Sequence, residues 1–202
     1  MGSVSDLPRG YGELFSIDLQ KDPKLALRVN LLALIITAVL GVPMHFYIPI
    51  TTLFDMSGGL GGYALRFGVL AVLMVLYLIL HELVHGAAMK LCGTKKVRYG
   101  FTGMYAFAGS DDYYYKRPYL FIALAPVVLW GAVLAAANCL VPAAWFWVVY
   151  LIQLANLSGA AGDLYVTVRF SRLPADVLVR DRGVGMTVYG KAQQTEAAEA
   201  TS

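Results

Sequence analysis

A long apolar run occupies residues 63–91, YALRFGVLAVLMVLYLILHELVHGAAMKL. It is longer than the ~20 apolar residues that a helix needs to cross a bilayer. Near its end lie His81, Glu82 and His85, in the pattern H-E-x-x-H. Two histidines four residues apart share one helix face, so both imidazoles can reach one zinc ion. Ionisable groups in so apolar a segment are costly and usually mark function.

The composition is typical of a membrane protein that crosses the bilayer several times. Of the 202 residues, 58% are hydrophobic and only 14% are charged, whereas a soluble domain carries about 25% charged residues. The net charge of +3 comes from basic residues that flank apolar segments. We therefore attribute this charge to membrane topology and expect the lipid bilayer, and no nucleic acid, as a partner.

Four segments are apolar and long enough to be transmembrane helices. We predict an all-α membrane protein with four transmembrane helices, a short β-hairpin-like segment between helices 2 and 3, and a short cytoplasmic tail. The last two helices would form an antiparallel hairpin, because only a few residues around Pro142 join them. The predicted spans are residues 29–50, 63–91, 119–141 and 145–170.

Basic residues predict the orientation of these spans. Fifteen of the 16 lysines and arginines fall on one side, and Arg66 alone falls on the other. The positive-inside rule then predicts a multi-pass protein of the plasma membrane with both termini in the cytoplasm. The expected organisation is an N-terminal cytoplasmic or interfacial segment (1–28), a four-helix transmembrane domain that carries the site (29–170) and a cytoplasmic tail (171–202).

The segment between the second and third spans is not helical in character. Residues 96–108, KVRYGFTGMYAFA, are rich in β-branched and aromatic side chains and are interrupted by Gly100 and Gly103. They predict a β-hairpin or two short strands. Such a hairpin could offer a strand edge to which an extended peptide binds, or it could cover the metal site. The sequence favours neither interpretation. Residues 185–189 predict another short strand, and residues 191–202 a disordered end.

A catalytic zinc needs a third protein ligand, which should lie at the depth of the two histidines. Asp163 meets this condition, because it is the only acidic residue in span four and lies in its inner half. On one continuous helix Asn156, Gly159 and Asp163 would share a face. The small residues 158–162 would let span four approach span two closely. The alternative is that Asp163 pairs with Arg169 as a helix-end carboxylate.

These motifs resemble a known class of enzymes. An H-E-x-x-H motif on one membrane helix with an Asn…Asp pattern on a later one is similar to the site-2-protease class of intramembrane zinc metalloproteases. Within it, the chain resembles the Putative zincin peptidase family of small bacterial membrane proteins. The resemblance is carried by residues 7–19, 81–85, 125–126, 156–163 and 173–189. Unlike better-known members, the chain has leucine rather than glycine after Asp163.

The resemblance implies a zinc peptidase. One Zn²⁺ per chain would be held by His81, His85 and Asp163, and Glu82 would be the general base for a zinc-activated water that cleaves a peptide bond. Asn156 would hold the substrate backbone or the oxyanion, or else make a structural hydrogen bond between helices. The substrate would be a membrane protein or a peptide.

Two other functions fit the same buried charges. One is a membrane protein that binds a metal without catalysis, which would not need Glu82. The other is a pathway for protons or ions, for which four spans without an internal repeat are a poor basis.

Overall fold

The computed structural model describes residues 2–103, 106–183 and 185–191. These residues form five α-helices, one short 3₁₀ helix (Ile50–Phe54) and seven strands. The helices are α1 (Pro23–Tyr47), α2 (Gly59–Leu91), α3 (Lys116–Leu140), α4 (Ala143–Gly159) and α5 (Ala161–Ser171). The strands are β1 (Ser3–Val4), β2 (Tyr11–Asp18), β3 (Arg98–Phe101), β4 (Ala106–Gly109), β5 (Tyr113–Tyr115), β6 (Leu178–Asp181) and β7 (Gly185–Lys191).

Four helical segments of the described chain are long and apolar enough to cross a membrane: Pro23–Tyr47, Gly59–Leu91, Lys116–Leu140 and Ala143–Ser171. The predicted number of spans is therefore confirmed. The first begins earlier than predicted because Asp22 and Pro23 start a helix. The Asp22 carboxylate accepts hydrogen bonds from the backbone N–H groups of Lys24 and Leu25, each at 3.0 Å, and proline is favoured in the first turn.

The fourth predicted span is not one continuous helix. Helix α4 ends at Gly159, and Ala160 has φ −81° and ψ 16°, outside helical geometry, before α5 begins. The prediction that Asn156, Gly159 and Asp163 share one helix face is therefore wrong. Asp163 instead lies in the first turn of α5, where the partial positive charge of the helix N-terminus favours a carboxylate.

The described residues also form a five-stranded sheet in the order β1-β5-β6-β7-β2, with all neighbours antiparallel. An all-α description is therefore incomplete. Strand β2 was missed because a β-bulge between Glu13 and Phe15 shifts its register against β7, which interrupts the alternation that marks a strand in sequence. The predicted strand at residues 185–189 is confirmed as part of β7.

The predicted hairpin is also confirmed. Strands β3 and β4 form a two-stranded antiparallel sheet with Arg98 opposite Gly109 and Phe101 opposite Ala106. Residues Tyr113–Tyr115 form β5. Tyr114 is fully buried there. Of residues 191–202, expected to be disordered, Lys191 instead ends strand β7, and residues 192–202 lie outside the described residues.

The chain divides into two compact units. Unit 1 comprises the described residues of Met1–Leu27, Glu82–Ala125 and Asp163–Ser202, and unit 2 comprises Arg28–His81 and Pro126–Gly162. The core of unit 1 includes completely buried side chains on and beside the sheet: Phe170, Val177, Leu178, Val179 and Val188. Burial of one such side chain contributes about 1.5–3 kcal/mol.

Unit 2 has its own apolar core, centred on Leu53, Phe146, Trp147, Val148 and Leu154. Two aromatic side chains of α4 also bind backbone carbonyls in or just after α1. The Trp147 indole N–H donates to the carbonyl of Ile48 at 2.9 Å, and the Tyr150 hydroxyl donates to that of Leu40 at 3.0 Å.

Candidate metal centre

The H-E-x-x-H motif lies in the last third of α2, which continues to Leu91 without interruption. His81 and His85 are one turn apart on the same helix face, and Glu82 follows His81 directly. The division into units falls between His81 and Glu82, within this one continuous helix. His81 is buried, whereas Glu82 and His85 are partly exposed.

Asp163 meets His85 within unit 1. Its Oδ2 atom lies 3.6 Å from His85 Nε2, and its side chain is 31% exposed. Two atoms that bind one tetrahedral zinc at ~2.0–2.2 Å lie about 3.4 Å apart, so this pair already has nearly the required separation. Together, ligand atoms of His81, His85 and Asp163 lie within 4.8 Å of one another, the one such group among the described residues.

His85 is held from its other ring nitrogen. Its Nδ1 atom lies 3.0 Å from the carbonyl oxygen of Ile122 in α3. In a regular helix this carbonyl would accept the N–H of residue 126, but that residue is a proline and has no N–H. Pro126 therefore leaves the Ile122 carbonyl available to His85. Since a carbonyl only accepts, Nδ1 carries a proton, and in the neutral ring Nε2 carries the lone pair.

His81 also has a partner at Nδ1, the hydroxyl of Tyr77 at 2.8 Å. The same hydroxyl lies 3.1 Å from Oδ1 of Asn156, and the Asn156 amide nitrogen lies 3.2 Å from the carbonyl oxygen of Val127. Asn156 is completely buried. The structure thus gives Asn156 two hydrogen bonds within unit 2, and its contact with a substrate stays a prediction.

A second acidic side chain lies near the site and was missed by sequence reasoning. Asp181, at the end of β6, accepts a hydrogen bond from the Tyr119 hydroxyl at 2.9 Å and one from the Gly183 backbone N–H at 2.8 Å. Burial raises the pKa of Asp181, and these two hydrogen bonds only partly oppose the shift. Its position after a short strand, far along the chain from the motif, gave no signal in the sequence.

The β3–β4 hairpin contacts the turn of α2 that follows His85. A Cβ atom at Gly86 would lie only 1.9 Å from the hydroxyl oxygen of Tyr99 on β3, so glycine is needed for Tyr99 to occupy this position. Gly86 is four residues after Glu82 and therefore shares its helix face. The hairpin is thus beside the motif, where either of its two predicted roles would place it.

Comparison with known families agrees with this site. A model of the family described as "Putative zincin peptidase" matches residues 74–178. That is just over half of the chain, and it includes the motif and Asp163. The chain belongs to this family. As a member of this family, the chain has four helices apolar enough to cross a membrane and a candidate metal site in apolar sequence.

One curated relative is similar over part of its length. It is described as "Uncharacterized 24.7 kDa protein in gap 5'region" from Pyrococcus woesei, and it is 28% identical over 118 residues. The match covers 56% of this chain and 51% of the relative, so the chain spans about half the length of that protein. No solved structure shows significant similarity to the chain.

The residues at this candidate site fit a zinc ion by the chemistry of their donors. Two imidazoles and one carboxylate form a set typical of catalytic zinc, which keeps a fourth position open. Both imidazoles also have a hydrogen-bond partner at Nδ1, in Tyr77 and in the Ile122 carbonyl. Histidines that bind zinc are commonly oriented by such outer partners. His81, His85 and Asp163 could therefore hold zinc through Nε2, Nε2 and a carboxylate oxygen.

Proposed function

We propose that the chain is a zinc-dependent peptidase that cleaves peptide bonds within the membrane or at its surface, as site-2 proteases do, with Glu82 as the general base. The observation that carries the proposal is the convergence of His81, His85 and Asp163 beside Glu82 in helices apolar enough to cross a membrane. Membership of the zincin family supports the peptidase assignment.

Each residue has a definite part in this proposal. His81, His85 and Asp163 hold one zinc, which when bound supplies a Lewis acid that activates water and polarises a carbonyl. Glu82 accepts the proton of the attacking water and returns it to the leaving amine. Glu82 and Asp163 are only partly buried by the protein, and the proposal requires that a peptide and water approach from this side.

Metal removal tests the proposal as a whole. We expect a zinc chelator to stop cleavage of casein or of a membrane-spanning peptide by the purified protein. Zinc should restore cleavage and magnesium should not, because magnesium prefers oxygen ligands in an octahedral arrangement. Cleavage that continues at the full rate in protein shown to be free of metal would contradict a zinc peptidase.

The orientation of the spans is a separate proposal. We place both termini in the cytoplasm. With the four spans as described, 15 of the 16 lysines and arginines lie at or beyond one end of the spans, and Arg66 alone lies near the opposite end. Reporter fusions after residue 202 and within the loop at residue 57 should then report opposite sides of the membrane, the first cytoplasmic. The same side for both fusions would rule out this orientation and the inner position of the metal site.

A further inference from the structure

Each hydrogen bond in a chain that leads to His81 has a definite donor and acceptor, which follow from the group at the far end. The chain begins at the backbone carbonyl of Val127, which can only accept. The Asn156 side chain lies 3.2 Å away and must present its amide nitrogen to that oxygen. The opposite orientation would place two acceptors against each other where Asn156 is completely buried, at a cost of about 1–3 kcal/mol for the unsatisfied groups.

The orientation of Asn156 decides what Tyr77 does. With its nitrogen on Val127, Asn156 turns its carbonyl oxygen towards the Tyr77 hydroxyl, 3.1 Å away. That oxygen only accepts, so the single hydroxyl proton of Tyr77 points to Asn156. Towards His81 Nδ1, at 2.8 Å, the Tyr77 oxygen can then only accept. His81 must donate, and its proton lies on Nδ1.

We propose that Tyr77 is a positioning residue that holds His81 as the Nδ1–H tautomer, so that the lone pair lies on Nε2 for the metal. The Tyr77 ring is 6% exposed. It also contacts the rings of His81 and Trp130 edge to face, with centroids 5.6 and 6.3 Å apart. These contacts fix the ring, so the hydroxyl stays where it orients His81.

This role rests on the proposed function, because it concerns the tautomer in which one ligand of the same site binds the metal. His85 reaches the same tautomer by a shorter route, through the Ile122 carbonyl that Pro126 leaves available. The two histidines therefore use different partners for one purpose. The partner of His81 is a side chain, so a single substitution can remove it.

Replacement of Tyr77 by phenylalanine removes the acceptor and keeps the ring. We expect Tyr77→Phe to lower zinc affinity roughly 10–100-fold, the usual effect of losing an outer partner of a zinc ligand. The matched control is Tyr150→Phe. It also removes a tyrosine hydroxyl that donates to a partly buried partner within unit 2, the Leu40 carbonyl at 3.0 Å, but it touches no histidine. Chelator competition measures the affinity without any need for cleavage.

A second measurement reads the tautomer itself in unaltered protein. The chain has three histidines, so ¹⁵N labelling of histidine gives a simple NMR spectrum of the metal-free protein in micelles, assigned with His81→Ala. At a pH where the ring is neutral, His81 should carry its proton on Nδ1, and Tyr77→Phe should populate the other tautomer. This result is independent of peptidase activity, so it stands or falls separately from the proposed function.

The proposal has two clear ways to fail. A proton on Nε2 of His81 in the wild-type spectrum would overturn it, even if Tyr77→Phe does not fold. Equal zinc affinity in wild type, Tyr77→Phe and Tyr150→Phe would overturn it as well, because Tyr77 would then be no more than a packed side chain.

Discussion

Glu82→Gln should keep the fold and the metal and lose peptide cleavage. Glutamine has the shape of glutamate and still hydrogen-bonds water, but it cannot accept the proton of the attacking water. General-base catalysis typically contributes about 10²–10⁴-fold in rate, so a loss of this size is expected. Glu82 is not among the three grouped ligand residues, so zinc content should not change.

The matched control is Glu13→Gln, the same change at an exposed position of β2. It should cleave at the wild-type rate. A protein that binds metal without catalysis predicts no cleavage in any variant, and a proton pathway predicts a transport defect with no cleavage to lose. Cleavage near the wild-type rate by zinc-loaded Glu82→Gln would refute Glu82 as the general base.

The sequence was most informative where the local rule is strong. The four-residue spacing of His81 and His85 gives a shared helix face whatever the rest of the fold does, and α2 has that form. Asp163 was found because an acidic residue in an apolar span is rare and costly. The structure brings these three residues together, while metal binding by them stays a prediction.

The sequence was least informative where structure depends on partners far along the chain. Strand β2 pairs with β7 across most of the chain, and its bulge hides the alternation. The break at Ala160 follows no proline, and a window of apolar residues does not reveal it. The sequence therefore predicted the depth of Asp163 in the membrane but not that Asp163 lies on a separate helix, α5.

The hydrogen-bond partners of the two histidines could be predicted from the sequence only in part. Tyr77 precedes His81 by four residues and so shares its face, and Pro126 follows Ile122 by four residues, which leaves a carbonyl without its helical donor. Both signals are present in the sequence. Neither signal identifies the group of another helix that it meets. The His81 tautomer therefore needed the positions of Asn156 and Val127, and the proton on His85 Nδ1 needed its contact with the Ile122 carbonyl.

Asp163→Ala should remove most of the zinc from the purified protein. Two imidazoles alone hold zinc more weakly than two imidazoles with a carboxylate, since one of the three protein ligands of a catalytic site is gone. The loss of affinity should exceed the roughly 10–100-fold that removal of an outer partner causes. Asp112→Ala, which removes a partly exposed carboxylate outside the apolar helices, is the control and should keep its zinc.

Metal analysis of wild type, His81→Ala, His85→Ala, Asp163→Ala and Asp112→Ala from parallel preparations tests the three-ligand site most directly. We expect one zinc per chain in wild type and in Asp112→Ala, and close to none in the three variants of the grouped residues. A full equivalent of zinc in Asp163→Ala would show that the third ligand lies elsewhere. Wild-type protein that takes up no zinc, even when zinc is supplied, would contradict the metal centre itself.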